Sequence, residues 1–228
     1  MRIAEIFHSV QGEGFLTGTP SVFVRAAGCN LRCRFCDTPY ASWHPEGPSR
    51  SVEQILAEIQ KWDCRHVVLT GGEPMLFPDL VPLSRQLGRQ GTHVTIETAG
   101  TVYQPVSCDL MSISPKLDNS TPSASQAPGW RNRHERTRHA PDVIRRLIDR
   151  YPYQFKFVVG DPRDVDQVAR YLETMPQIDR DRVMLMPMGT DADHLAQVAR
   201  WLIACCADHG WRYCPRQHIE WFGLMRGT

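Results

Sequence analysis

The sequence predicts an α/β protein built on an incomplete parallel barrel or sheet. Three observations carry that reading. Short runs rich in β-branched and aromatic residues alternate with longer stretches of helical periodicity. Glycine- and proline-marked motifs fall where several of the short runs end. The connection between the runs at 93–98 and 109–114 is too short for a full crossover helix, so helices cover the sheet only in part.

SVFVRAAG (21–28) reads as the first strand of the series. SVEQILAEIQKW (51–62) reads as a helix: Ser51 caps it, Gln54 completes a capping box, and Ile55, Leu56 and Ile59 form one apolar face. HVVLT (66–70) is a strand that stops at Gly71-Gly72, and residues 79–90 read as helix. HVTIET (93–98) and DLMSIS (109–114) are strands. APDVIRRLIDR (140–150) is a helix with Pro141 suited to its first turn. QFKFVVG (154–160) is a strand, 162–174 a helix and RVMLM (182–186) a strand. DADHLAQVARWLIACCADHG (191–210) is a helix ended by Gly210, and WRYC (211–214) a short last strand. Repeated strand–helix units imply a parallel sheet with right-handed crossovers. Residues 117–139 are polar and rich in Pro, Ser and Asn, and read as a long loop or lid. No repeat and no linker divides residues 1–228, so one domain is expected.

The chain has 228 residues, a formal charge of +1, 22% charged and 42% hydrophobic residues. Those are ordinary values for a globular protein and give no electrostatic case for bulk nucleic-acid binding. The basic run Arg131–Arg146 reads as a solvated face, with a local nucleic-acid patch as the alternative. The N-terminus lacks the apolar core of a secretory signal, and no apolar run is long enough to span a membrane. A cytoplasmic setting with reduced thiols is therefore expected. Of eight cysteines, Cys64, Cys108, Cys205, Cys206 and Cys214 sit in apolar stretches and read as small hydrophobes.

The other three are clustered. Cys29, Cys33 and Cys36 follow the first strand with C-x3-C-x2-C spacing. A structural zinc site closes four ligands, and the spare histidines His8 and His44 lie at no finger-like spacing. A 4Fe–4S cluster held by three thiolates keeps one iron open for a chelating ligand. A zinc knuckle with a distant fourth ligand stays as the alternative. TGGEP (70–74), ETAGT (97–101), SPK (114–116) and MPMGTD (186–191) each follow a strand. In parallel α/β architectures that edge binds ligands.

The cysteine spacing, with an aromatic residue (Phe35) before the last cysteine, resembles the signature of radical S-adenosylmethionine enzymes, and GGEP is a second signature of that superfamily. More of the chain resembles one family within it, 7-carboxy-7-deazaguanine synthase (QueE). EIFHSVQGEG, FVRAAGCNLRCRFCDTPYA, TGGEP, ETAGT, SISPK, KFVV and PRQHIEWFG carry the resemblance almost end to end. It implies a partial TIM-like barrel of about six parallel strands. It implies conversion of 6-carboxy-5,6,7,8-tetrahydropterin to 7-carboxy-7-deazaguanine and ammonia, on the way to queuosine and other deazapurines. It also implies a 4Fe–4S cluster, S-adenosylmethionine and Mg2+, an electron donor such as flavodoxin or ferredoxin, and a homodimer. In such enzymes the reduced cluster cleaves S-adenosylmethionine, and the resulting radical takes hydrogen from C6 of the pterin. Whether S-adenosylmethionine is consumed or regenerated stays open.

Site residues follow from the resemblance position by position. Gln11, Gly12 and Glu13 would meet the pterin ring, where an ionised Glu13, acceptor-only, suits a guanine-like donor edge; the alternative is a plain turn after a strand. Arg25, in an otherwise apolar strand, needs a partner if it points inward, and its fork suits the substrate carboxylate; the alternative is a structural ion pair. Thr38 would bind magnesium together with substrate oxygens, or else act as a helix cap or turn residue. Phe35, Cys36, Asp37, Gly72, Ser114, Pro115, Lys116 and the Pro187-Met188-Gly189 turn would hold S-adenosylmethionine. Lys116 pairs a ribose or carboxylate oxygen or is solvated. Thr70 is expected to face substrate, as are Glu97 on the same rim as Thr98, and His218; each of Glu97 and His218 also has a purely structural reading. One departure stands out: Met186 occupies a position where many relatives carry glutamine, so only the backbone there is expected to serve the cofactor. The rival readings are another small radical enzyme, such as a glycyl-radical-enzyme activase, and a non-catalytic zinc module.

Overall fold

Seven parallel strands lie side by side in chain order in the computed structural model, which describes residues 1–228. They are β2 (Pro20–Ala26), β3 (His66–Gly71), β4 (His93–Thr98), β5 (Leu110–Ile113), β6 (Tyr153–Val159), β7 (Val183–Pro187) and β8 (Arg212–Tyr213). An eighth strand, β1 (Ile3–Val10), pairs antiparallel with β2 at the edge. The sheet is open, as expected of a partial barrel. The sequence pattern does not assign β1 as a strand because it is a hairpin partner with no helix between it and β2. The helices are α1 (Pro39–Ser42), α2 (Val52–Ile59), α3 (Leu80–Arg89), α4 (Arg131–Arg138), α5 (Pro141–Arg150), α6 (Pro162–Glu173), α7 (Ala192–His209) and α8 (Gln217–Phe222). Between β4 and β5 there is no helix, as the short connection predicts.

Elements whose stabilising partners are local form where the sequence predicts them. Ser51 accepts from the Gln54 amide at 3.3 Å, and the Gln54 side chain accepts from the Ser51 amide at 2.9 Å. Ile55, Leu56 and Ile59 are buried. Gly210 ends α7 in the left-handed conformation, φ 68°, where a glycine avoids the Cβ clash. The core runs unbroken from Val24 and Leu69 through Ile96, Met111 and Phe155 to Leu185, with α2, α3, α5, α6 and α7 packed on it. No helix is long and apolar enough to cross a membrane.

Residues 117–139 correct the expectation of a loop. Asp118–Ser120 forms a 3-10 turn and 131–138 is α4. The α4 sequence, RNRHERTR, has no apolar stripe, and its one fully buried side chain is His134. Periodicity therefore had nothing to detect. The helix is held by polar bonds to distant segments: Nδ1 of His134 accepts from the Arg32 amide at 3.1 Å, and Arg138 donates to the Lys116 carbonyl at 3.1 Å.

Burial, reinforced by Arg138 and Lys116, pushes the His134 pKa down from 6.5 to about 4. As pH falls, the unfolded chain then takes up the proton first. The contribution of neutral His134 to stability is complete above pH 6.5 and is lost as pH falls from 6.5 to about 4. In urea unfolding, the stability difference between wild type and His134→Asn should be constant above that window and shrink across it. A difference that does not change over the window contradicts a neutral buried imidazole.

Candidate active site

The C-terminal edge of the sheet opens on a cavity of about 300 Å³. Cys29, Cys33, Cys36, Phe35, Asp37 and Thr38 reach it from the loop after β2. Thr70 and Gly72 come from β3 and its loop, Glu97 from β4, Ser114 and Lys116 from after β5, and Met188 and Gly189 from after β7. Gln11, Gly12 and Glu13 come from the β1–β2 turn, Arg25 from β2, and His218 from α8. Pro115 and Pro187 do not line it; both are buried and steer the backbone of their loops.

Close backbone approach assembles this edge. A Cβ on Gly72 would lie 2.3 Å from the Gly28 carbonyl and 2.8 Å from Cys29 Cβ, so only glycine lets the β3 loop pass against the cysteine loop. A Cβ on Gly12 would lie 2.5 Å from the His218 amide nitrogen. There the Gln217 amide donates to the Gly12 carbonyl at 2.9 Å, tying the two ends of the chain together. Glu73 of the same GGEP motif is fully buried and takes hydrogen bonds from the Thr98 hydroxyl and the Ala99 and Met75 amides. It joins the β3 loop to the end of β4.

Charge is concentrated in one network that reaches the cysteine loop at Asp37. Lys156, 3% exposed on β6, donates to Glu13 at 2.8 Å and to Glu97 at 2.9 Å. Thr70 donates to the other Glu97 oxygen at 2.7 Å. Arg216 donates to Glu13 at 3.3 Å and also to Asp37 and to the Gly189 carbonyl. Burial alone would raise the Glu13 pKa, but Lys156, Arg216 and His218 hold it well below the carboxylate range. For Glu97, burial is likewise outweighed by Lys156. For Asp37, Arg216 outweighs the cost of desolvation. All three carboxylates therefore stand ionised at neutral pH. Burial pushes the His218 pKa down, and its Nδ1 lies 3.8 Å from Glu13.

Arg25 makes the ion pair that its place in an apolar strand calls for. Its Nε donates to Glu5 at 2.6 Å, and Tyr40 donates to the same Glu5 oxygen at 2.7 Å. Its terminal nitrogens make no hydrogen bond within the chain, and the residue lines the cavity with its guanidinium carbon 5.7 Å from the centroid of the Phe7 ring. Thr38 occupies the N-cap of α1 but its hydroxyl makes no cap bond. The Lys116 ammonium turns back on the Ser114 carbonyl and hydroxyl, at 2.8 and 2.7 Å. Met186 is buried and lines the cavity with an apolar side chain.

The comparisons with known proteins identify the family. The Radical SAM superfamily model matches residues 23–119. A 7-carboxy-7-deazaguanine synthase from Rhodopirellula baltica is 47% identical over 99% of this chain and 88% of its own length. The chain belongs to the 7-carboxy-7-deazaguanine synthase family. A relative of that name from Halobacterium salinarum is 44% identical over 95% of this chain and 88% of its own. The structure of QueE from Escherichia coli superposes with a TM-score of 0.71 at 28% identity, covering 95% and 94% of the two chains.

Membership brings a 4Fe–4S cluster and S-adenosylmethionine, and the residues present fit both. Three thiols from one loop lie in the cavity wall. No group of three or more His, Cys, Asp or Glu side chains is drawn together tightly enough for a single metal ion. Three thiolates fill three corners of a 4Fe–4S cluster and leave one iron open for a chelating ligand, whereas a structural zinc site takes four ligands. Burial pushes Cys29 and Cys33 up to about 12, so metal uptake must release their protons. Gly72 leaves the space beside Cys29 clear.

Sequence reasoning missed Lys156, Arg216 and Glu73. Lys156 had a signal: a lysine inside the apolar strand YQFKFVV needs a buried partner, by the same reasoning applied to Arg25. Glu73 was within a quoted motif, but its partners Thr98 and Ala99 lie in another loop. Arg216 has no local signal, since its partners come from three separate loops. Replacing Lys156 with Met leaves Glu13 and Glu97 without that cation. The expected cost is about 3–5 kcal/mol in denaturant unfolding at neutral pH, and Lys156→Met with Glu97→Gln should recover part of it. No recovery in the double variant contradicts the charge pairing.

Proposed function

We propose that this chain converts 6-carboxy-5,6,7,8-tetrahydropterin to 7-carboxy-7-deazaguanine with loss of ammonia, in deazapurine biosynthesis of the queuosine type. The observation that carries the proposal is one cavity with three cysteines on one wall and an ionised carboxylate pair, Glu13 and Glu97, on another. When bound, the reduced cluster and S-adenosylmethionine supply a radical that takes a hydrogen atom from C6 of the pterin and, because loss of ammonia accounts for the whole difference between substrate and product, hands one back.

The chain's own residues bind and orient. Glu13 and Glu97 are acceptor-only and suit the donor edge of the pterin ring. The free terminal nitrogens of Arg25 suit the substrate carboxylate, with Glu5 and Tyr40 fixing the guanidinium in place. Gly12 and His218 close the side of the cavity beside Glu13. Asp37, Gly72, Ser114 and the Met188-Gly189 turn face the S-adenosylmethionine side, with Phe35 and Cys36. Lys156 and Arg216 hold the three carboxylates Glu13, Glu97 and Asp37 in place, and Arg25 and Lys116 line the same cavity. A substrate-dependent Mg2+ site at Thr38 belongs to the same proposal: its hydroxyl lines the cavity, makes no helix-cap bond and has only a 3.9 Å contact with the Cys36 sulfur. A cytoplasmic setting, a flavodoxin or ferredoxin as electron donor, and a homodimer complete the proposal on the strength of the family resemblance.

An anaerobic assay of reconstituted, reduced protein with S-adenosylmethionine, magnesium and 6-carboxytetrahydropterin tests it, with the product read by mass. Wild type should form 7-carboxy-7-deazaguanine, and Cys33→Ala none. Formation of 5′-deoxyadenosine and methionine without the deazaguanine overturns the substrate assignment. Arg25→Lys keeps the charge but loses the fork, and should raise the substrate KM by about tenfold or more. Thr38→Val should abolish the response to magnesium; an unchanged magnesium response removes Thr38 from the metal site.

A further inference from the structure

The segment between β5 and α5 looks like a lid by composition, yet its polar groups are committed to the cysteine loop. Residues 28–37 carry no helix or strand of their own, so their amides depend on partners from elsewhere. Arg32 and Arg34 flank Cys33. The Arg32 amide donates to His134 Nδ1 at 3.1 Å. The Arg34 amide donates to the Ser120 carbonyl at 2.9 Å, and its side-chain Nε to the Asn119 carbonyl at 2.6 Å. The far nitrogen of His134, Nε2, lies 2.9 Å from the Ser120 hydroxyl. That hydroxyl gives its proton to the Leu117 carbonyl at 2.6 Å. Ser120 must then accept from Nε2–H, and Nδ1 is free to accept from Arg32. One neutral tautomer satisfies every group in the chain.

A second brace runs in parallel. The Arg32 guanidinium lies over the Trp130 ring, 4.0 Å from its centroid, and donates to the Cys29 and Leu31 carbonyls at 3.0 and 2.7 Å. Trp130 in turn accepts the His134 amide on its carbonyl at 2.7 Å. The course of the loop from Cys29 to Cys33 is thus set by the segment 117–134. That course also decides whether the Leu31 amide reaches the Cys29 sulfur, 3.4 Å away; hydrogen bonds to ligand sulfurs tune iron–sulfur clusters.

We infer that His134 is a positioning residue for the iron–sulfur cluster. It fixes the loop through Cys33 from a helix none of whose residues lines the cavity. The inference rests on the assignment of the cluster to Cys29, Cys33 and Cys36. It makes α4 a buttress of the metal loop and not a gate over substrate.

Three variants separate this role from simple packing. His134→Asn places an acceptor near the position of Nδ1 and keeps the Arg32 bond. His134→Gln places its amide near Nε2 and leaves the Arg32 amide without an acceptor. His134→Ala removes both. Each reconstituted protein is challenged with an iron chelator while cluster absorbance is followed, with the EPR spectrum of the reduced cluster and thermal unfolding recorded alongside. The Asn variant should hold its cluster like wild type. The Gln and Ala variants should hold theirs about 10- to 100-fold less tightly, the range for outer partners of metal ligands, and show an altered EPR spectrum. A Gln variant that retains its cluster as firmly as wild type, or an Asn variant that loses it as readily as Ala, overturns the role. Wild-type protein that takes up no iron overturns the cluster assignment and this inference together. Wild-type protein that holds its cluster but makes no deazaguanine overturns only the reaction, and the contrast between Asn and Gln still decides the role of His134.

Discussion

Lys156 places an ammonium group where water hardly reaches, and the chemistry of one whole wall of the cavity follows from that constraint. A buried cation must be paired, and its partners, Glu13 and Glu97, come from the β1–β2 turn and from β4. Each carboxylate keeps lone pairs to spare after accepting from Lys156. The lysine therefore keeps two carboxylates ionised at a fixed separation while leaving them free to accept from a ligand. Arg216 extends the same network to Asp37 beside the cysteines and to the Gly189 carbonyl. One set of ion pairs thus runs from the β1–β2 turn and β4 to the cysteine loop.

The opposite wall is organised by backbone and not by charge. The loop through Cys29, Cys33 and Cys36 lies against Gly72, with contact too close for any side chain there. Its outer side is braced by His134 and Ser120. Glu73, buried at the end of β3, ties that strand's loop to the end of β4. The division suits the chemistry. A cluster needs its three ligands held in a fixed relation to one another, whereas a polar substrate needs acceptors of the correct ionisation.

Much of this was legible in the sequence because its signals are local. The Ser51–Gln54 box, the stop at Gly210 and the motif glycines each need only near neighbours. The cysteine spacing and the strand-end motifs located the cavity before any geometry was known. Where partners are distant, the sequence was silent or misleading. Helix α4 has no apolar stripe, and what holds it is a histidine bonded to a residue 102 positions away. Arg216 meets Asp37 across 179 positions. Arg25 shows the middle case: a charge in an apolar strand announced a partner, but only the fold shows Glu5 taking Nε and the other nitrogens left without a bond in the chain.

The most direct test of the central claim, that two fixed carboxylates read the ring donors of a pterin and Arg25 its carboxylate beside a three-cysteine cluster, is an anaerobic crystal structure. The reconstituted protein would be bound to S-adenosylmethionine and 6-carboxypterin, the oxidised analogue of the substrate. The account predicts ring donors on Glu13 or Glu97 with the Lys156 pairs intact, and the ligand carboxylate on the terminal nitrogens of Arg25. A ligand whose carboxylate sits on Lys156, with Glu13 and Glu97 turned away, would contradict it.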